Sequence, residues 1–86
     1  MFYVYILWSN KLQKKYIGMT SDLKIRLKEH NSGKSDYTSR GKPWKLIYYE
    51  AFLSKKDAEN EELFLKSGKG RERIKYLNKN NFGGVA

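Results

Sequence analysis

The chain has 86 residues, with 18 Lys and Arg against 9 Asp and Glu, giving a formal net charge of +9. That length makes one small domain, which buries roughly 60–70% of the surface its unfolded chain exposes. With no cysteine and one histidine, the chain has no disulfide, no thiolate metal site, no Cys nucleophile and no zinc site built on a His pair. No apolar run approaches the ~20 residues of a membrane span, and the start MFYVYILW lacks the basic segment and cleavage site of a signal peptide. These features predict a cytoplasmic protein without a membrane partner.

Taken along the chain, Phe2 to Trp8 is unbroken apolar and aromatic, as in a strand covered on both faces. One face carries Phe2, Val4, Ile6 and Trp8; the other carries Tyr3, Tyr5 and Leu7. A polar turn over Ser9 to Lys15 leads to a short second strand at Tyr16-Ile17-Gly18, predicting an antiparallel hairpin. Thr20, Ser21 and Asp22 offer N-cap oxygens to a helix over residues 22–31, which Asn31-Ser32-Gly33 ends. Asn31 to Pro43 reads as a long polar loop with Lys34, Arg40 and Lys42. Trp44 to Phe52 reads as a third strand, Ser54 as the cap of a helix over 55–66, and Arg71 to Asn78 as a last short helix. A single domain over 1–80 is expected, with 81–86 a frayed end.

The charge is spread evenly, each of the segments 1–21, 22–50 and 51–86 summing to +3, so there is no detachable basic tail. Such a chain suits a polyanion, because Lys and Arg contacts to phosphate release counterions and give affinity independent of sequence. Lys34, Arg40, Lys42, Lys66, Lys69 and Arg71 are the candidate nucleic-acid contacts. Trp8, Trp44, Tyr48 and Tyr49 are candidates for base stacking, although core and strand positions account for them as well.

Two constellations suit chemistry. At ~100° per residue the first helix has a narrow apolar stripe of Leu23 and Leu27, flanked on one side by Arg26 and His30. These emerge beside the phenol-bearing strand face. There Arg can hold phosphate oxygens and His can exchange a proton near neutral pH. On the second helix Ala58 and Leu65 face the core, and Glu61 and Glu62 lie about 50° to either side. Either carboxylate is a hard oxygen donor suited to Mg²⁺, or part of a solvated acidic face with a Glu62–Lys66 pair. Ser67-Gly68-Lys69-Gly70-Arg71 follows a helix and lacks the Lys-Ser/Thr ending of a nucleotide loop, so it reads as a glycine helix stop, and no organic cofactor is expected.

Tyr3-Val4-Tyr5, ten intervening residues and Tyr16-Ile17-Gly18 resemble the paired signature of the GIY-YIG nuclease superfamily, with Tyr replacing the first Gly. Thr20-Ser21-Asp22-Leu23, Arg26-Leu27, Glu29-His30-Asn31, Pro43-Trp44-Lys45-Leu46 and Ala58-x-x-x-Glu62-x-x-x-Lys66 follow in the same order. The ordered set spans about residues 2–76 and is most similar to small stand-alone bacterial members. The resemblance implies an α/β fold, a three-stranded antiparallel sheet flanked by helices. It also implies metal-dependent hydrolysis of nucleic-acid phosphodiesters, DNA ahead of RNA.

In that scheme Glu62 binds one Mg²⁺ or Mn²⁺ and Arg26 neutralises charge on the phosphoryl oxygens. Tyr5 activates water, Tyr16 orients water or phosphate, and His30 assists proton transfer or acts as the base. Only the family register separates Glu62 from Glu61, so Glu61→Gln is expected to be close to silent. The competing readings are a nucleic-acid-binding module without catalysis, and a basic RNA- or ribosome-associated protein.

Overall fold

A computed structural model describes residues 1–33 and 38–77. Three strands, β1 (Phe2–Ser9), β2 (Lys14–Thr20) and β3 (Trp44–Phe52), form one antiparallel sheet in the order β2-β1-β3. Three helices cover it: α1 (Leu23–Ser32), α2 (Lys55–Leu65) and α3 (Gly68–Leu77). A single 3₁₀ turn, Ser39–Gly41, precedes β3. The expected α/β architecture is the observed one. β2 is longer than Tyr16–Gly18, because β1 supplies ladder partners for Lys14 and Lys15 at one end and for Met19 and Thr20 at the other.

The helix ends are set locally. The Asp22 carboxylate accepts from the Ile25 N–H at 3.1 Å, and the Ser54 hydroxyl accepts from the Asp57 N–H at 3.2 Å. Gly33, at φ 83°, closes α1 in the left-handed conformation. The junction between α2 and α3 corrects the glycine-stop reading. Ser67 accepts from the Gly70 N–H, and α3 begins at Gly68, before the expected Arg71. Gly70 is buried, and a Cβ there would collide with the backbone of Phe64 and Leu65, so glycine is what lets the two helices touch.

Because β1 is central, its alternation feeds two cores. Val4 and Ile6 pack with Ala58, Leu65 and Ile74 under α2 and α3. Tyr5 and Leu7 pack with Trp44, Tyr16, Leu23 and Leu27 under α1. The β1–β3 register slips between Ile6 and Leu7, and Ile47 is the extra residue of the bulge. Ile47 and Tyr48 consequently both join the α2–α3 core. The expected tail 81–86 and Lys34 lie outside the described residues.

Candidate active site

The α1 core is where the polar chemistry collects. Tyr5 stands directly opposite Gly18 on β2, and its phenol lies across that position, where any Cβ would collide with Oη and Cζ. The absence of a side chain at Gly18 lets the Tyr5 ring cross the edge strand. Its Oη is 2.9 Å from His30 Nε2, and His30 Nδ1 is 2.7 Å from Thr38 Oγ1. The His30 ring also lies 4.9 Å from the Tyr16 ring, centroid to centroid. Tyr5, His30 and Thr38 are all buried, whereas Arg26 keeps 36% of its side chain exposed and pairs with Glu29 at 3.1 Å.

A neutral imidazole donates from one ring nitrogen and accepts at the other, so the Tyr5–His30–Thr38 series runs one way or the other with the tautomer. With the proton on Nδ1, Tyr5 donates to His30 Nε2 and Nδ1–H donates to Thr38 Oγ1. The Arg26 guanidinium stands near the phenol and acts to lower its pKa. Electrostatics agree with a neutral pair. Burial raises the Tyr5 pKa, and Tyr16 and Glu62 raise it further, against the hydrogen bond and charge of Arg26. Burial and the Arg26 charge push the His30 pKa below the usual imidazole value, opposed by Glu29. The phenol and Glu29 hold Arg26 firmly cationic.

The two glutamates of α2 part company. Glu61 bonds Arg73 of α3 at 2.7 Å, and Arg73 also approaches Glu50 of β3 at 3.7 Å. Burial raises the Glu61 pKa, with Glu50 adding to it and Arg73 opposing. Glu61 therefore leans toward the β3 edge, and the expectation that it is a solvated residue is overturned. Glu62, on the other flank of the same helix, carries the charge felt by the Tyr5 phenol. It comes from the helix layer opposite α1, its side chain is 23% exposed, and Oε2 accepts from Lys66 Nζ at 3.0 Å.

Tyr5, Tyr16 and His30 thus form one cluster with the Arg26 charge beside it, while Glu62 comes from the far layer and is the weakest of the charges acting on the Tyr5 phenol. The basic candidates do not form one patch. Arg40 and Lys42 are exposed around the 3₁₀ turn that contacts α1. Lys66 and Arg71 instead line a groove beside α2 and α3, while Lys69 is exposed on α3 outside that lining. Trp44 is a core residue, its indole N–H donating to the Thr38 carbonyl at 2.7 Å. Tyr48 packs in the α2–α3 core, and Tyr49, 53% exposed, meets Tyr3 edge-on.

Three supporting residues escaped sequence reasoning. Thr38 reads only as loop. Gly18 reads only as part of a motif. Asn31 reads as a helix stop, yet its side chain bonds both the Trp44 N–H, at 2.6 Å, and the Trp44 carbonyl, at 3.1 Å.

A model of the GIY-YIG catalytic domain matches residues 1–81. The chain belongs to the GIY-YIG family. A UPF0213 protein of Pediococcus acidilactici is 43% identical over 83 residues, covering 93% of this chain and 83% of the relative. One from Clostridium perfringens is 36% identical over 78 residues, covering 90% and 83%. The solution NMR structure of a UPF0213 protein from Bacillus halodurans aligns with a TM-score of 0.58 at 35% identity, over 95% of this chain and 90% of that one. GIY-YIG is a nuclease family, which implies a nucleic-acid substrate. Among the described residues no helix is long and apolar enough to cross a membrane.

Proposed function

We propose that this GIY-YIG domain is a metal-dependent endonuclease that hydrolyses phosphodiester bonds, with DNA preferred to RNA. The observation that carries the reading is the buried series Tyr5–His30–Thr38, with the charges of Arg26 and Glu62 acting on its phenol. A core of this size gains nothing from burying a phenol, an imidazole and a hydroxyl in series unless each has a partner. Here each has one, and the half-exposed guanidinium of Arg26 beside the series suits a phosphate.

Arg26 exchanges its Glu29 contact for the non-bridging oxygens of the scissile phosphate and stabilises the charge that grows there. That movement uncovers the Tyr5 oxygen. The attacking water gives its proton to Tyr5 as the phenolic proton passes to His30 Nε2, and the oxygen-to-phosphorus bond forms while the bond to the leaving oxygen breaks. Thr38 accepts from Nδ1–H and keeps the imidazole in the orientation this needs. Burial disfavours the imidazolium, so the proton returns through Tyr5 to solvent, and a solvent water protonates the leaving oxygen.

The donor set fits one hard cation. Among the described residues no three His, Asp or Glu cluster together, so Glu62 would be the single carboxylate, and Mg²⁺ accepts one carboxylate with several waters. Bound there, Mg²⁺ or Mn²⁺ would supply Lewis-acid polarisation of a phosphoryl oxygen.

The test is cleavage of labelled single-stranded, duplex, flap and branched DNA and RNA with Mg²⁺ or Mn²⁺. Glu62→Gln should abolish cleavage while thermal melts show an intact fold and affinity for nucleic acid persists. The Glu62–Lys66 pair favours one other reading, a binding module in which the lysine occupies the carboxylate permanently. Binding that survives EDTA, with no substrate cut in either metal, would establish that alternative.

A further inference from the structure

A groove of about 700 Å³ opens where the tip of the β1–β2 hairpin meets α2 and α3. It lies on the sheet face opposite the Tyr5–His30 relay. Its floor is apolar, from Ile17, Leu65 and Ile74, and Trp8 stands in its wall with the indole N–H fixed by Asn10 Oδ1 at 2.7 Å. Its rim carries Lys14, Lys15, Lys66, Arg71 and Lys75, and among the described residues no acidic one lines it. Lys66 is paired with Glu62; the other four cations make no ion pair among the described residues. Elsewhere the arginines at positions 26 and 73 are matched by carboxylates.

A cationic rim around an apolar floor matches a ligand whose charge and apolar surface lie side by side. A duplex turns its base faces inward and shows backbone and base edges only. An unpaired strand offers phosphates every nucleotide and a free face on every base, which stacks on aromatic side chains for roughly 1–3 kcal/mol. The size of the groove is that of a ligand of a few linked rings. Tyr16 and Lys66 belong to its lining, and they connect it to the relay and to Glu62.

We propose that this groove binds an unpaired segment of polynucleotide, with phosphates on Lys14, Lys15, Arg71 and Lys75 and a base against Trp8. The inference rests on the nucleic-acid reading above and specifies it: the substrate has a single-stranded arm that runs over the face away from the relay.

The experiment measures binding in EDTA, by fluorescence anisotropy, of labelled twelve-nucleotide oligo-dT and oligo-U and of a duplex of the same length, across a salt series. The variant K14Q/K15Q/R71Q/K75Q should weaken single-strand binding at least tenfold. It should also reduce the salt slope by about 2 to 3, since each lost phosphate contact on a single strand is worth about 0.7. The control K24Q/K28Q/K55Q/K56Q, with the same net charge, should shift affinity less than threefold. The doubles K14Q/K15Q and R71Q/K75Q carry the test if the quadruple variant melts. Wild-type tryptophan emission should be quenched at saturation, since the second tryptophan, Trp44, is buried. The arms with dT and U report which sugar the groove prefers.

Equal losses in the groove and control variants, tighter binding of duplex than of single strand, or unaltered tryptophan emission would each overturn the proposal. Cleavage by the groove variant at the wild-type rate and affinity removes the groove but leaves the nuclease reading standing. Groove-dependent binding with no cleavage in any metal does the reverse.

Discussion

The two faces of β1 are built from alternate residues of one strand, yet they are made of different materials. Under α2 and α3 the contacts are aliphatic, Val4 and Ile6 against Ala58, Leu65 and Ile74. Under α1 the same strand presents Tyr5 to a histidine and a threonine through hydrogen bonds of 2.9 and 2.7 Å. The aliphatic face gains stability in proportion to area and tolerates small shifts. The polar face gains little net stability but holds its groups in one arrangement, because every unmade bond there is costly. A single strand thus separates holding the fold from holding the reactive groups.

Breaking each face should therefore fail in a different observable. After the loss expected of Glu62→Gln, the largest effect is expected from Tyr5→Phe, which removes the relay's proton and should lower the cleavage rate by about 10²–10⁴. It leaves His30 Nε2 without its donor, at about 1–3 kcal/mol of stability. Single-turnover cleavage beside a urea melt separates the two. Leu65→Ala, on the aliphatic face, should cost about 2–5 kcal/mol of folding free energy. Its cleavage rate per folded molecule, measured well below the melting temperature, should remain near wild type. A rate loss as large as that of Tyr5→Phe would show that the faces are not separable.

Glu61→Gln sharpens the comparison on α2. It weakens the contact with Arg73, which is exposed enough to be partly screened, so roughly 1 kcal/mol of stability is at stake and cleavage should hold. Glu62→Gln should show the opposite pattern, and matched melts and rates for the two variants decide between them.

The smallest effect is a pH dependence. Burial and Arg26 lower the His30 pKa on folding, so the unfolded chain binds that proton more readily. Its contribution is fully present above the unfolded imidazole value of about 6.5 and is lost as pH falls from there through the folded value. Melting temperature should decline over that window, and the decline should be shallower in His30→Gln. Catalysis follows the same limb: His30 must be neutral to take the phenolic proton, and its pKa is lowered. The rate should therefore already be level at the ordinary imidazole value of about 6.5 and fall only below it, while the raised Tyr5 pKa keeps the phenol protonated up to the ordinary value of about 10.

Much of this could be read from local signals. Asp22, Gly33 and Ser54 act on their own helix ends, so the boundaries of α1 and α2 follow from near neighbours. The parity of β1 and the flank shared by Arg26 and His30 are properties of single elements. What escaped depends on distant segments. Glu61 and Glu62 are equivalent on an isolated helix and differ only because α2 lies across a sheet whose edges are β2 and β3. Thr38 matters only through its bond to His30, eight positions earlier in the chain. Gly70 carries poor helix propensity, and its contact with α2 overrides it.

The close approach at Gly70 also bears on rates. With no side chain between them, α2 and α3 meet backbone to backbone, and Arg73 ties the pair to β3 through Glu61 and Glu50. The α2–α3 wall of the groove is thereby packed tight. A polyanion arriving there meets a preformed surface, so capture should be governed by long-range attraction to a +9 molecule. Salt would then slow association far more than it hastens release, and the strand would be chosen on arrival by charge before any base is tested against the floor.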